Sequence, residues 1–430
     1  MQSLNHFKTL SKIPHCSFDT QQMREFLCEF AKAKHFKVSV DEGGNIHCIK
    51  GEPKLCLQAH FDMVCMGEAP KIELFEEKGF LKARNSSLGA DNGIGVSLIM
   101  SAMSEFDDLE CLFTDNEEVG LLGANALTHK LLSKRLLNLD HEDEKELIIG
   151  CAGGVDIKSC LKLDFKELKE KKGELYELEA VNFKGGHSGI DIIKNPKNSL
   201  KEMARFILQN KGQIVHFEGG ERINSVAKFA RALVLFDEKP TQNEFIKVRP
   251  KARGNEKILI CQQSDKLLRT INAFAQGVRA YSQELGIIQT SINLSTLKMN
   301  EKEAIIELFA RSNLLEDLKN LEFETKIFFE SFDFTVSSSN FYAPWQGERT
   351  EFSDEVFELL KAEFKDARIL AVHAGLECGV IEKKQPLECA SLGVNIFNPH
   401  STDERCEIAS IERIEKLLFK VLEKYCTKRA

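Results

Sequence analysis

Short apolar segments alternate with segments of helical periodicity in the first third of the sequence. Residues 54–59, 109–114 and 136–139 have the length and apolar content of buried strands, whereas residues 21–36 and 90–103 have the spacing of helices. Strands that alternate with helices in this way form a mostly parallel sheet that helices cover on both faces. We therefore predict an α/β fold with a mixed, mostly parallel sheet and flanking helices.

The sequence pattern changes near Asp156 and returns after a polar break at residues 337–340. Between these points, a charged stretch at 164–174 precedes an α+β grouping with strands at 175–181, 230–236 and 289–297 and helices at 196–209 and 266–284. The first pattern then resumes with a helix at 353–364, a strand at 391–397 and a helix at 411–425. We predict a discontinuous α/β domain at 1–155 and 341–430, with an α+β domain inserted at 156–340.

The net charge of the chain argues against nucleic acid and anionic membranes as partners. The 430 residues include 58 Lys and Arg against 66 Asp and Glu, a net charge of −8. An acidic chain without a basic tract lacks the charge that sequence-independent binding to nucleic acid or an anionic membrane requires. No segment reaches the roughly 18 apolar residues of a membrane span, and residues 1–8 contain no apolar signal core. We expect a cytoplasmic protein that binds neither nucleic acid nor a membrane.

Thirteen cysteines are spread along the chain without a C-x-x-C pair. This odd number and this spacing indicate neither a zinc knuckle nor the disulfide framework of a secreted protein. The N-terminal cysteines, which include Cys16 and Cys65, lie mostly among apolar neighbours. We expect the cysteines to be buried free thiols in a reducing cytoplasm.

Acidic or histidine residues follow several predicted strands or lie at the mouth of a turn. In an open α/β sheet, ligands bind beyond the carboxyl ends of the strands. The segments with this position are His60-Phe61-Asp62, residues 89–93 with Asp91, residues 116–120 with Glu117 and Glu118, residues 138–143 with Asp140, and residues 399–404 with His400.

Each of these segments has an ordinary structural explanation when it is considered alone. His60 and Asp62 fit a surface pair, Asp91 fits a helix cap, and the adjacent acids Glu117 and Glu118 fit a solvated loop. Histidine and carboxylate groups that converge would repel one another without a cation, however. Because hard or borderline divalent metals accept nitrogen and oxygen ligands, the combined set favours a divalent metal site.

In chain order, these segments and residues 185–189 resemble the motifs of the di-zinc peptidases that include aminoacylases, carnosinases and glutamate carboxypeptidases. Residues 150–154 and 373–379 are similar, within that group, to the aminoacyl-histidine dipeptidases. The similarity runs from about residue 55 to residue 404. It implies the di-zinc exopeptidase fold, a lid formed by the inserted domain, and a homodimer.

The resemblance also implies the residues of the metal centre. The implied ligands are His60, Asp140 and Asp91 for one cation, and Glu118, His400 and the same Asp91 for the other. Asp62 would orient His60, and Glu117 would be the general base for a hydroxide shared by the two cations. The implied cations are Zn²⁺, with Co²⁺ or Mn²⁺ as alternatives.

Further residues are assigned to the substrate by the same resemblance. His187 would stabilise the oxyanion, and Arg311 would bind the C-terminal carboxylate of the substrate. A solvent-exposed helical arginine is the alternative for Arg311, and Asn293 is a further candidate contact. His373 and Glu377 either line the substrate pocket or support the metal ligands, and the sequence leaves both interpretations open.

The activity that the resemblance implies is hydrolysis of unblocked dipeptides, including Xaa-His. An N-acyl-amino-acid deacylase, an aminotripeptidase and a non-catalytic metal- or peptide-binding relative are the alternatives. Two positions depart from the usual family pattern, His141 in place of Ser or Thr and Thr402 in place of Pro. We expect His141 to point outward or to lie behind the ligands, and both departures to affect substrate preference more than catalysis.

Overall fold

The computed structural model describes residues 2–168, 173–252, 257–283, 287–346 and 348–429. The chain divides into two compact units. The first unit comprises residues 1–151, 345–372 and 376–430, and the second comprises residues 152–344 and 373–375. This division differs by a few residues from the boundaries that we predict from the sequence, and it places His373 in the second unit.

Helices and strands alternate along the first unit, and strands predominate in the second. The first unit begins with α1 (Gln2–Leu10), α2 (Gln21–Ala33), β1 (Lys37–Val40), β2 (Ile46–Lys50), β3 (Leu55–His60), β4 (Leu74–Glu77), β5 (Phe80–Ala83), α3 (Ala90–Glu105), β6 (Phe106–Asp107), β7 (Leu109–Thr114), α4 (Leu122–Ala126), β8 (Arg135–His141) and β9 (Glu146–Cys151). The second unit contains β10 (Gly153–Lys162), β11 (Phe165–Glu167), β12 (Glu174–Ala180), the 3₁₀ turn Ile192–Lys194, α5 (Ser199–Gln209), β13 (Gln213–Gly219), β14 (Ala230–Phe236), β15 (Ile246–Pro250), β16 (Leu259–Cys261), α6 (Ser264–Ala273), β17 (Gly277–Ser282), β18 (Ile287–Met299), β19 (Glu303–Ser312), α7 (Leu315–Glu330) and β20 (Thr335–Tyr342). The first unit ends with α8 (Glu351–Glu363), β21 (Arg368–Val372), α9 (Cys378–Lys384), β22 (Glu388–Gly393), β23 (Ile396–Phe397), β24 (Arg405–Glu407), α10 (Ile408–Tyr425) and β25 (Thr427–Lys428). Within the described ranges, none of the helices combines the length and the apolar content that crossing a membrane requires.

The first unit is built on an eight-stranded mixed sheet in the order β1-β2-β7-β3-β8-β22-β9-β21. At its centre, β3 pairs in parallel with both β7 and β8, and β8 pairs in parallel with β22. Helix α3 is buried on nearly all sides, as its run of apolar and small residues predicts. The predicted α/β class with a mixed, mostly parallel sheet is therefore confirmed.

The second unit is built on a nine-stranded sheet in which β15, β12, β14, β13, β18, β19, β10 and β20 follow one another and β17 also pairs with β18. Its described strand pairs are all antiparallel. Residues from the inner face of this sheet and from α5, α6 and α7 form one apolar core. This is an α+β arrangement.

Three local predictions are wrong. The helix predicted at 266–284 ends at Ala273, because the chain becomes extended at Phe274 and pairs from Gly277 onward with β18. The polar break predicted at 337–340 lies within β20, an edge strand whose serines face solvent. The single strand predicted at 391–397 is two strands, β22 and β23. Glu284 and residues 169–172 of the charged stretch lie outside the described residues.

The expectation of free thiols fails for one pair of cysteines, since Cys16 and Cys65 form a disulfide. The backbone of residues 15–17 pairs with Met63, and this pairing brings Cys16 alongside Cys65 with the Cα atoms 5.5 Å apart. The two residues are 49 positions apart in the chain, so no local spacing indicates their contact. The other cysteines of the described residues are free thiols, most of them buried.

Candidate metal centre

The predicted ligands of the first unit lie at one edge of its sheet. His60 is the last residue of β3, Asp140 is close to the end of β8, and Glu117 and Glu118 follow the end of β7. Because β7, β3 and β8 are parallel neighbours, their carboxyl ends meet at the same edge. Asp91 lies in the first turn of α3, at a position with non-helical backbone angles.

Asp91 lies between two histidines and faces each with a different oxygen. Its Oδ1 atom is 3.2 Å from His60 Nε2, and its Oδ2 atom is 3.0 Å from His400 Nε2. Asp140 Oδ1 lies 3.3 Å from His60 Nε2, and Glu118 Oε1 lies 2.8 Å from His400 Nε2. In each of these two groups of three, the potential ligand atoms all lie within 4.8 Å of one another. The two groups therefore share one carboxylate.

Asp62 holds the His60 ring at its other nitrogen. His60 Nδ1 is 3.3 Å from Asp62 Oδ1 and 3.0 Å from the Asp62 backbone oxygen. The carboxylate also accepts the backbone N–H groups of Glu117 at 2.9 Å and Glu118 at 3.3 Å, and the hydroxyl of Ser17 at 2.8 Å. Burial opposes ionisation, but the hydrogen bonds outweigh it and lower the pKa of Asp62. An ionised Asp62 orients the ring so that Nε2 faces the other ligands.

The ligand groups carry more negative charge than the nearby side chains neutralise. Burial, together with the charge of Asp91, raises the pKa of Glu118 to about 6, and burial also raises the pKa of Asp140. Glu118 Oε1 and Asp140 Oδ1 are buried and have no hydrogen-bond donor in suitable geometry among the described residues. Carboxylate oxygens and neutral imidazole nitrogens are ligands that divalent zinc accepts. The donor set therefore fits two divalent cations that share Asp91.

Glu117 lies beside these ligands but farther from the histidine. Glu117 Oε2 is 3.9 Å from His60 Nε2, whereas Asp140 Oδ1 is 3.3 Å from the same nitrogen. Burial raises the pKa of Glu117 well above 4.5; the charge of His60 opposes this rise, and the charges of Glu118 and Asp140 add to it. A buried carboxyl group with a raised pKa fits a role in proton transfer. His60, Glu117 and Glu118 form a third group whose potential ligand atoms lie within 4.8 Å of one another, and Glu118 also faces His400.

Behind the candidate metal ligands, a buried chain of hydrogen bonds ends at Glu377. Gln58 Nε2 and Thr114 Oγ1 each donate to Glu377 Oε2 at 2.6 Å, and Asn138 Nδ2 donates to Gln58 Oε1 at 2.6 Å. Gln58 lies two residues before His60 on β3, so this chain braces the strand ends that carry ligands. Burial raises the pKa of Glu377 to about 7, and its side chain is fully buried. This position favours support of the ligands over contact with the substrate.

In the second unit, Gly189 packs among the predicted catalytic residue His187 and the predicted substrate-binding residues Arg311 and His373. A Cβ atom at this position would lie 3.2 Å from His187 Cε1 and 3.3 Å from Arg311 Nε, and would overlap the backbone oxygen of His373. Glycine is therefore required by the close approach of these groups. The structure brings His187, Arg311 and His373 together within this unit.

The side chains of His187 and Arg311 are both oriented by hydrogen bonds. His187 Nδ1 accepts the backbone N–H groups of Gly189 at 3.3 Å and Ile190 at 3.2 Å, which leaves the proton of the neutral ring on Nε2. Arg311 is 4 % exposed and donates to Tyr342 Oη at 3.1 Å. Because Arg311 lies buried on β19, the alternative of a solvent-exposed helical arginine is wrong.

His373 and Asn293 are buried and held in place within the second unit. His373 pairs through Nε2 with Ser291 Oγ at 2.7 Å and through Nδ1 with Asn313 Oδ1 at 2.9 Å. Burial, together with the charge of Arg311, lowers the pKa of His373 to about 3, so its ring is neutral at pH 7. Asn293 donates from Nδ2 to a backbone oxygen and to a serine hydroxyl. Contact of either residue with a substrate stays a prediction.

The two departures from the family pattern, His141 and Thr402, have different surroundings. His141 Nε2 is 2.9 Å from Oε2 of Glu146, the first residue of β9, which is the next strand along the chain. Thr402 is exposed. Neither residue belongs to any of the three groups of potential ligands among the described residues.

Three further side chains of the centre are not apparent from the sequence motifs. Ser17 donates to Asp62 from a segment that has no recognisable pattern. Burial and the charge of Asp91 raise the pKa of Glu142 well above 4.5, which places this carboxyl group within the field of the ligands. Glu404 accepts backbone N–H groups just before Asp91. Glu142 and Glu404 lie inside the segments 138–143 and 399–404, which contain predicted ligands. An acidic residue close to a predicted ligand in sequence could therefore have indicated both of them.

An α/β domain that brings together two histidine–carboxylate groups and a further carboxylate, several of them at the ends of parallel strands, is the architecture of a metallopeptidase that uses two cations. Residues 56–424 match the peptidase family M20/M25/M40, and the chain belongs to this family. The cytosol non-specific dipeptidase of Escherichia coli strain K12 is 29 % identical over 480 aligned positions, which cover 97 % of this chain and 96 % of that protein.

Two solved structures show the same fold. Aminoacylhistidine dipeptidase from Vibrio alginolyticus superposes with a TM-score of 0.72 at 24 % identity, covering 100 % of this chain and 97 % of that one. Human carnosine dipeptidase 1 superposes with a TM-score of 0.56 at 11 % identity, covering 97 % of this chain and 95 % of that one.

Proposed function

We propose that this chain hydrolyses the peptide bond of unblocked dipeptides, including Xaa-His. The observation that carries the proposal is the Asp91 carboxylate shared between His60 and His400, with Glu117 alongside. Membership of a peptidase family and likeness to a non-specific dipeptidase over nearly the whole of both chains support the substrate class. The segments 150–154 and 373–379 support the inclusion of Xaa-His.

A substrate panel tests this proposal. The metal-reconstituted protein is assayed with Ala-His, β-Ala-His, acetylated amino acids and tripeptides. We expect the highest kcat/KM for a dipeptide with a free amino group. A higher kcat/KM for acetylated amino acids would identify a deacylase, and a higher value for tripeptides would identify an aminotripeptidase; either result would contradict the proposal.

We propose that the two groups of ligands each hold one divalent cation and that both cations are Zn²⁺, with Co²⁺ or Mn²⁺ as alternatives. Bound divalent cations lower the pKa of water and polarise the scissile carbonyl. His60 presents Nε2 to its cation because Asp62 engages its other nitrogen. Metal binding needs neutral histidine and ionised carboxylate ligands. A bound cation itself favours these deprotonated forms, because its binding releases protons from the ligands.

The proton steps are assigned to residues of this chain. Glu117 takes a proton from the attacking water and delivers it to the leaving amine. We propose that the second unit is a lid domain whose His187 donates from Nε2–H to the developing oxyanion and whose Arg311 binds the substrate carboxylate through its guanidinium fork. His373 and Asn293 are proposed to line the substrate site, and Glu377 to support the ligands.

Arg311→Lys is expected to raise KM for Ala-His by roughly 10–100-fold with a smaller change in kcat. A charged hydrogen bond contributes ~1.5–3 kcal/mol, and lysine keeps the charge but loses the planar fork. Steady-state kinetics measure the change. Arg231→Lys, on an exposed strand position of the same unit, is the control and should behave as the wild type. Dipeptide amides lack the carboxylate, so Arg311→Lys and wild type should handle them alike; an unchanged KM for Ala-His would refute the role.

We also propose that the protein is a cytoplasmic homodimer. The likeness to a cytosol dipeptidase supports the compartment, whereas the disulfide between Cys16 and Cys65 is uncommon in reducing compartments. Sedimentation equilibrium of the purified protein measures the oligomeric state. Fractionation of cells treated with an alkylating reagent reports both the compartment and whether this pair of thiols is reduced there.

A further inference from the structure

Glu404 is a buried carboxylate whose hydrogen bonds all go to one short stretch of backbone. Its side chain is 3 % exposed. Oε2 accepts the N–H groups of Leu88 at 2.8 Å and Gly89 at 3.0 Å, and Oε1 accepts those of Ala90 at 2.8 Å and Asp91 at 3.4 Å. Four successive backbone donors thus converge on one side chain that is more than 300 positions away in sequence.

These donors belong to the N-terminal end of α3 and have few other partners. The first N–H groups of a helix have no acceptor within the helix, and water cannot reach them where the helix is buried. The residue at the cap position is Gly89, which has no side chain and a φ of +70°. A carboxylate at this end also matches the positive end of the helix dipole. Glu404 therefore supplies the cap that the local sequence lacks.

The same carboxylate joins two of the predicted ligands. Glu404 follows His400 by four residues and lies in the same turn, where its N–H donates to the Ser401 carbonyl at 3.3 Å. Its carboxylate accepts hydrogen bonds from the segment that begins with Leu88 and contains Asp91. Across this junction, His400 Nε2 is 3.0 Å from Asp91 Oδ2.

We propose that Glu404 is a positioning residue that holds His400 and Asp91 at ligand distance, so that the cation bound by Glu118, His400 and Asp91 depends on it. This inference rests on the proposed metal centre. Glutamine at position 404 would direct an NH₂ group at backbone N–H donors and lose half of the acceptors. We expect the His400 turn to move away from Asp91, while Asp91 stays beside His60 and the rest of the sheet is unchanged.

Glu110 provides a matched control, a buried carboxylate that accepts backbone N–H groups away from the candidate ligands. It is buried in the same unit and accepts the backbone N–H groups of Leu132 and Ser133, each at 2.8 Å, together with His47 Nε2 at 2.6 Å. None of these partners belongs to the groups of potential ligands. Loss of the Glu110 carboxylate should therefore lower thermal stability without changing metal binding.

The test measures zinc binding rather than turnover. Wild type, Glu404→Gln, Glu404→Asp and Glu110→Gln are stripped of metal, checked by circular dichroism and thermal melting, and titrated with Zn²⁺ in a calorimeter. We expect two zinc ions per wild-type chain, and a roughly 10–100-fold weaker affinity for one of them in Glu404→Gln, as for other residues that orient ligands. Glu110→Gln should melt earlier and bind both ions with wild-type affinity.

The outcomes distinguish failure of the positioning role of Glu404 from failure of the proposed metal centre. Two zinc ions bound by Glu404→Gln with wild-type affinity would overturn the positioning role and leave the metal centre intact. Equal weakening in Glu110→Gln would show that general loss of stability is the cause, and would also overturn it. No zinc bound by the wild type would contradict the metal centre itself. If Glu404→Gln does not fold, Glu404→Asp decides, because it keeps the charge but is one methylene shorter; wild-type affinity there would refute the role.

Discussion

Glu117→Gln is expected to lower kcat by roughly 10²–10⁴-fold, the usual contribution of a positioned acid–base group, while the protein keeps both cations. Glutamine has nearly the same size but cannot take a proton from water. Glu117 Oε2 lies 3.9 Å from His60 Nε2. The hydrogen bond from Glu117 to Asp62 is donated by the backbone N–H, which the substitution does not change. The substitution should therefore leave the ligand groups in place. Steady-state kinetics with Ala-His and metal analysis of the same preparation measure the two effects.

The adjacent residue provides the contrast for this prediction. Glu118 Oε1 lies 2.8 Å from His400 Nε2, so Glu118→Gln should reduce the bound metal as well as the activity. The two variants have the same composition and net charge and differ only in which of two adjacent residues is changed. If Glu117→Gln retained near-wild-type kcat with both cations bound, or lost metal as Glu118→Gln does, the assignment of Glu117 as the base would be wrong.

Asp91→Asn is expected to lower kcat/KM by at least about 10³-fold, or ~4 kcal/mol, because the centre loses the cations that activate water. The two Asp91 oxygens face different histidines, so this change affects both groups of ligands at once. The amide also removes a negative charge from between two cations. We expect at most one tightly bound cation per chain, measured by metal analysis after dialysis.

Asp115→Asn is a suitable control for the Asp91 variant. Asp115 is buried in the same unit, accepts the Thr20 hydroxyl at 2.8 Å and belongs to neither group of ligands. It should lose stability but keep its metal and most of its activity. A variant Asp91→Asn that bound two cations as tightly as Asp115→Asn does would contradict the bridging role.

The ligand groups could be predicted from the sequence because most of them follow strands. His60, Asp140 and the pair Glu117 and Glu118 come at or just after the ends of three parallel neighbours, where side chains from separate motifs must meet. The order of these motifs along the chain then points to one family. Fold class followed from the same alternation of strands and helices.

The features that the sequence did not reveal depend on contacts between distant parts of the chain. Glu404 binds backbone groups, and any residue can supply an N–H, so the positions of its partners have no sequence signal. The pairing of Cys16 with Cys65 follows from a backbone contact at Met63. The predicted helix does not continue past Ala273, because residues from Gly277 onward pair with β18. Here tertiary contacts override the local helical periodicity.

The side chains of the second unit were the least predictable part of the site. A glycine-rich turn around His187 resembles a flexible loop in the sequence, and the close packing of Gly189 against Arg311 and His373 brings together residues from three distant regions of the chain. The burial of Arg311 on β19 likewise needs the whole antiparallel sheet. Local patterns identify such residues only through a resemblance.

Titration of the metal-free protein with Zn²⁺ while Ala-His hydrolysis is recorded tests the central claim most directly. We expect no hydrolysis by the stripped protein and a rate that rises until two equivalents of zinc are bound per chain. Full activity without added metal, full activity at one equivalent, or no hydrolysis of any dipeptide after two equivalents of Zn²⁺, Co²⁺ or Mn²⁺ would contradict a dipeptidase that works with two cations.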